Sequence, residues 1–211
     1  MKKCFKVVSL ALVMFFVVLT GCKSTKVITP LYTEIDMNNV PDGIYRVEFN
    51  ENDIVEDNGK LYITPAIYSE DKYDTIEIHN MKKGDTLEYG GVEHKIENVL
   101  WDEQKSVGCI NGDSFENAME ELRPDEAGGT YYLSGLDDHH TYTLRGKAKI
   151  LISDDVVLTD SSELGEEPAN IKKNGLKDFI KNNHGDNFFF LNTTLRVENK
   201  KVVEINRYYI P

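Results

Sequence analysis

Apolar residues in this 211-residue chain recur mainly at alternate positions, in short runs broken by glycine, asparagine, aspartate and proline. Because a strand turns successive side chains to opposite faces, that spacing predicts strands with one buried face. After a turn at Pro41, Asp42 and Gly43, the side chains of Tyr45, Val47 and Phe49 fall on one face. Asp57, Asn58 and Gly59 form a turn signal that favours positive φ, leading into a strand at 61–64, with Pro65 marking an edge or bulge. Residues 75–79 alternate and predict a strand. Gly84 then turns the chain into 86–89, and Gly90 with Gly91 turns it into 92–99. Three such strands predict an antiparallel meander, part of a small barrel.

Further strands are expected at 130–134, 141–145, 148–152 and 155–159. A closing hairpin is expected with strands at 188–197 and 202–209. Helical spacing intervenes twice. At 114–122, Phe115, Ala118, Met119 and Leu122 share a face behind a capping Asp113, with Pro124 as the stop. At 175–183, Leu176, Phe179 and Ile180 share a face, with Asn174 as the expected cap and Gly185 as the stop. The expected fold is therefore mainly β, with antiparallel meanders forming a small barrel or sandwich and one or two short helices. The acidic stretch at 160–170 is a candidate subdivision of an otherwise single domain over 36–211.

The N-terminus follows a different pattern. Lys2, Lys3 and Lys6 precede an apolar run over 7–19, interrupted only by Ser9, and the run ends in Leu19-Thr20-Gly21-Cys22. Charged, apolar and small residues in that order form a signal-peptide layout. The run is shorter than the roughly 20 residues needed to cross a bilayer. Leu19-Thr20-Gly21-Cys22 resembles the bacterial lipobox. That resemblance covers about a tenth of the chain. It implies cleavage before Cys22, diacylglycerol on its thiol, and anchoring at the extracytoplasmic face of the cell membrane. The expected division is a signal peptide over 1–21, a lipidated tether over 22–35 and a domain beyond. Each buried methylene of an acyl chain contributes about 0.8 kcal/mol, so several chains on one residue hold a protein durably. Lys23 and Lys26 in the tether suit anionic headgroups.

Residues 1–21 contain three lysines and no acid. From Cys22 onward the chain therefore has 21 basic and 36 acidic residues, a formal charge of −15. Such a surface repels nucleic acid, which excludes it as an expected partner. Of the three cysteines, Cys4 leaves with the signal peptide and Cys22 takes the lipid. Cys109 then has no partner for an intrachain disulfide, so the fold must rest on its core. Cys109 itself reads as a buried apolar residue.

Asp137, Asp138, His139 and His140 form the densest group of metal-ligating residue types, at a predicted loop tip. Neighbours on an extended chain point to opposite faces, so a solvated loop is the competing reading. No stretch has the alternate acidic positions of a calcium-binding EF-hand loop. No cofactor is expected, with calcium or a transition metal as the alternative. Trp101, the one tryptophan, and the paired Tyr131 and Tyr132 are candidates for stacking against a sugar, or else pack into the core and rim. No Gly-x-Ser-x-Gly elbow, His-Glu-x-x-His, phosphate-binding loop or dinucleotide glycine pattern is present. The leading expectation is a membrane-anchored, non-catalytic binding module for a glycan, peptide or envelope protein. The alternatives are a cell-envelope hydrolase with a carboxylate and histidine site assembled by the fold, and a divalent-metal-binding domain.

Overall fold

A computed structural model describes residues 25–115, 120–135, 140–163, 165–183 and 188–210. In chain order the elements are β1 (Val27–Ile28), β2 (Gly43–Glu48), β3 (Ile54–Asp57), β4 (Lys60–Ile63), β5 (Ala66–Glu70), β6 (Lys72–Asp74), α1 (Thr75–His79), β7 (Thr86–Tyr89), β8 (Val92–Lys95), β9 (Val99–Trp101), β10 (Gly108–Ile110), β11 (Glu120–Pro124), β12 (Thr130–Gly135), β13 (Tyr142–Lys147), β14 (Ile150–Ser161), β15 (Ala169–Lys172), α2 (Lys173–Asn182), β16 (Thr193–Glu198) and β17 (Lys201–Tyr208). Among the described residues the fold is mainly β with two short helices, its curled sheets forming a half-barrel.

The largest sheet runs β13-β5-β2-β16-β17-β14-β4-β3, with β15 added to β14. Its buried face is aliphatic: Val47, Ile63, Ile67, Leu158, Leu195 and Ile205 form one cluster, over which α2 lays Leu176 and Ile180. The second cluster lies between β6-β12-β11-β10-β9, the small sheet β1-β7-β8 and α1, and includes Ile28, Tyr73, Ile78, Leu87, Leu122 and Leu133. From β6 to β12 this second unit is an insertion between β5 and β13, which pair with each other in the large sheet. At the first crossing, Asp71 is fully buried and accepts hydrogen bonds from the Tyr32 hydroxyl at 2.6 Å and from Gly90 N at 2.7 Å.

Several expectations need correcting. Residues 75–79 form the helix α1, because Asp74 Oδ1 caps it by accepting from Ile76 N at 2.8 Å and Glu77 N at 3.0 Å. Its alternation is real but helical: residues two apart lie on different sides of a helix, so Ile76 is 70 % exposed while Ile78 is buried. The expected helix at 114–122 is overturned at its end, where Glu120, Glu121 and Leu122 belong to β11 and pair with β12; 116–119 lie outside the described residues. The strands expected at 148–152 and 155–159 are one strand, β14, whose register against β17 shifts between Ile152 and Val157. The second expected helix is present as α2, but it starts one residue before Asn174, and its cap Lys172 makes no side-chain hydrogen bond. Its expected stop, Gly185, lies outside the described residues.

Part of the stretch expected as a tether, 22–35, packs on the domain. Ile28 is fully buried, β1 pairs in parallel with β7, and Leu31 N donates to Lys72 O at 2.6 Å. The chain is docked from Lys26 onward. The acidic stretch at 160–170 joins β14 to β15 within one sheet and separates no cores. Among the described residues no helix is long and apolar enough to cross a membrane.

Candidate functional site

Trp101 ends β9 opposite Gly108 of β10. A Cβ on Gly108 would come within 3.0 Å of the indole, so the missing side chain is what lets the ring lie there. The loop after Trp101 is tied by Asp102, whose carboxylate accepts from Ser106 N at 2.6 Å, Ser106 Oγ at 2.6 Å and Val107 N at 3.1 Å. The Ser106 hydroxyl, more than the backbone amides, holds the Asp102 carboxyl below the usual carboxylate range. Lys105 takes a left-handed φ of 54° and thereby closes this loop.

Tyr131 reaches the same place from β12. Its hydroxyl lies 3.0 Å from His79 Nε2 and donates to Lys105 O at 3.4 Å. Burial, reinforced by Asp102, raises its phenol pKa. Three rings meet edge to face, with centroids 5.2 Å apart for His79 and Trp101, 5.3 Å for His79 and Tyr131, and 6.1 Å for Trp101 and Tyr131. This is the geometry that aromatic quadrupoles favour. Beside them opens a cleft of about 620 Å³, lined by His79, Trp101, Glu97, Asn98 and the exposed Lys82, Lys83 and Lys105. Tyr131 is 5 % exposed, so Trp101 and His79 are the rings a ligand could touch.

Of the three expected stacking residues, the fold brings Trp101 and Tyr131 together and sends Tyr132 elsewhere. As the next residue of a strand, Tyr132 points to the opposite face. It stacks on the His140 ring with centroids 4.0 Å apart. His140 Nδ1 is in turn bonded to the Glu70 carboxylate. In the expected metal group, His140 is thus engaged with a ring and a carboxylate, while Asp137, Asp138 and His139 lie outside the described residues. No three His, Cys, Asp or Glu side chains converge as metal ligands among the described residues. Cys109 is buried, as expected, and burial raises its thiol pKa, which disfavours the thiolate.

A second cleft, of about 500 Å³, lies against the large sheet, lined by Tyr32, Ile44, Arg46, Tyr68, Glu70 and Tyr142 among others. Tyr68 stacks on Phe190 at 4.3 Å, and Arg46 donates to Leu191 O at 2.8 Å while lying 5.9 Å from the Tyr142 ring centroid. Arg46, Glu70 and Phe190 were not singled out from the sequence. Arg46 and Tyr68 are cross-strand partners, as are Glu70 and Tyr142, on strands far apart in sequence. Only knowledge of the sheet order could have aligned them. No protein-family model, curated protein or solved structure matches the chain.

Proposed function

We propose that this chain is an extracytoplasmic lipoprotein, anchored through Cys22, that binds a glycan-type ligand in the Trp101 cleft without turning it over. The observation that carries this reading is the convergence of Trp101 and His79 on one open cleft. A flat apolar ring stacks on the C–H face of a sugar, and the histidine, Asn98 and lysines beside it offer polar partners for hydroxyls. His79 is steadied by the Tyr131 hydroxyl and Trp101 by Gly108, so two rings meet the ligand in fixed positions and little ordering entropy is lost on binding.

The test is a thermal-shift screen of the mature protein against glycans, peptidoglycan fragments and divalent metals, followed by affinity measurement on any positive. A glycan should raise the melting temperature without being consumed. Trp101→Ala should weaken its affinity at least about tenfold, the loss of roughly 1.4 kcal/mol expected for a central aromatic contact. Stabilisation by glycans that survives Trp101→Ala would move the site elsewhere. Turnover of the ligand would point to the hydrolase reading, and a chelator-sensitive melting temperature to the metal reading.

A further inference from the structure

We infer that the face around the chain's point of exit, built by Lys26, Val27, Ile76, Lys82 and Lys83, docks on an anionic phospholipid surface. The inference rests on Cys22 being the lipid anchor and adds which side of the domain meets the bilayer. Asp85 fixes the geometry. Its buried carboxylate accepts from Lys26 N through Oδ1 at 3.1 Å and from Lys82 N through Oδ2 at 3.1 Å. One carboxylate therefore clamps the start of the docked chain to the turn after α1. Thr86 N donates to Lys26 O at 2.9 Å, and Val27 pairs with Thr86 directly behind it. The chain leaves the domain beside Lys82. Cys22 precedes Lys26 by four residues, and a fully extended chain covers at most about 3.6 Å per residue, so the anchor lies within about 15 Å of this point.

From Cys22 onward the chain carries a formal charge of −15, yet Lys26, Lys82, Lys83 and, on the neighbouring strand, Lys95 are exposed together. Facing them are Glu77, 2.6 Å from Lys26, and Glu97, which lies 3.8 Å from Lys83 and 3.7 Å from Lys95, while further along the β7–β8 ladder Glu88 pairs with Glu93. Two lysines share one glutamate, and Lys82 adds a further positive charge. Next to the Lys26–Glu77 pair in the chain, Val27 is 47 % and Ile76 70 % exposed. Basic side chains beside a membrane anchor are drawn to anionic headgroups, and exposed aliphatic side chains among them enter the headgroup boundary. The patch is modest by itself. A tether this short makes docking intramolecular, which lets a modest patch suffice. Lys82 and Lys83 also line the Trp101 cleft, so docking sets that cleft beside the bilayer, where it meets ligands held at the membrane.

The test uses the mature lipidated protein reconstituted into phosphatidylcholine vesicles with or without phosphatidylglycerol. A fluorophore is placed on Ile76→Cys or, as a comparison on the far edge of the large sheet, on Val55→Cys. Cys109 is buried and the Cys22 thiol is acylated, so the label goes only to the new cysteine. Brominated lipid should quench the label at 76 when phosphatidylglycerol is present and leave the label at 55 bright. Lys82→Glu with Lys83→Glu, both at exposed positions, should lower the docked fraction at least about tenfold. Equal quenching at both positions, or indifference to anionic lipid and to charge reversal, overturns the docking face. The mass of Cys22 in the same sample keeps the two ideas apart. An unmodified thiol overturns the anchor and, with the tether gone, the docking as well; an acylated Cys22 with an unquenched label at 76 overturns the docking alone.

Discussion

The large sheet and the inserted unit bury their cores by different means. The large-sheet cluster is almost wholly aliphatic, and its aromatic pair, Phe49 stacked on Phe188 with centroids 4.9 Å apart, carries no hydroxyl. The inserted cluster buries three tyrosines whose hydroxyls all find partners. Tyr73 donates to Glu88 O at 2.8 Å, Tyr89 to Glu120 Oε2 at 2.6 Å, and Tyr131 meets His79. Pairing is mixed in both: local ladders such as β7 with β8 and β16 with β17 stand beside long-range ones such as β6 with β12 and β2 with β16. An aliphatic core is non-directional and tolerates long-range assembly. A core with buried hydroxyls depends on each partner being in place, since a lost partner leaves a desolvated polar group. The large sheet also holds a directional buried contact, Arg207 with Asp160 at 2.9 Å, but the buried tyrosine hydroxyls belong to the unit that carries the candidate site, where fixed ring positions are needed.

The largest expected effect would break the distinction if it fails to appear. Ile205→Ala removes a fully buried side chain paired with both Leu158 and Leu195, and should cost about 2–5 kcal/mol. Trp101 is the one tryptophan, so its fluorescence reports the insertion while far-UV circular dichroism reports the whole chain. Because β5 and β13 bracket the insertion, both probes should shift to the same lower urea midpoint. Separate midpoints would mean that the two units unfold independently.

Next in size is Asp71→Asn, at the crossing between the units. The charged acceptor of two hydrogen bonds is lost there, at a cost of about 1.5–3 kcal/mol. Hydrogen exchange should speed up first at Gly90 N and at Leu31 N, which is held by the neighbouring Lys72 carbonyl. Exchange accelerating evenly over the large sheet instead would show that Asp71 does not join the units locally.

The smallest effect sharpens the contrast between the cores. Tyr89→Phe should cost about 1 kcal/mol and leave half-buried Glu120 without its phenol donor. Burial first, and then the hydrogen bond to Glu120, push the Tyr89 pKa well above its ordinary value. A raised folded-state pKa gives stability that is complete below the unfolded value of about 10 and is lost as pH rises toward the folded one. Chemical denaturation from neutral pH upward should therefore show the parent protein weakening above about pH 10, with Tyr89→Phe weakening less. Identical alkaline profiles would remove the hydroxyl from the account of this core.

Much of the β architecture was legible because period-two alternation is a local signal. The hairpin of β16 and β17, the turn at Gly90 and Gly91, and the buried stripe of α2 all follow from residues within a few positions of one another. The misreadings came where local signals tie. Residues 75–79 alternate, and the single Asp74 side chain decided for a helix. Residues 120–122 fit a helical face, and pairing with β12 decided for a strand. At the site, Trp101 and Tyr131 were legible as aromatics, but His79 joined them only through the fold, and Tyr132 left them because a strand alternates its faces.

By itself the sequence determined what each segment could become: an apolar N-terminal run whose end, Leu19 to Cys22, resembles a lipobox, an acidic body, and short amphipathic strands between turn residues. These depend on composition and near-neighbour spacing. The tertiary structure decided what meets what. It drew the supposed tether into a sheet as β1, placed the insertion between β5 and β13, and set the buried Asp85 between Lys26 and Lys82. Such pairings join residues tens of positions apart, and a chain specifies them only through the summed burial and hydrogen bonding of the whole fold.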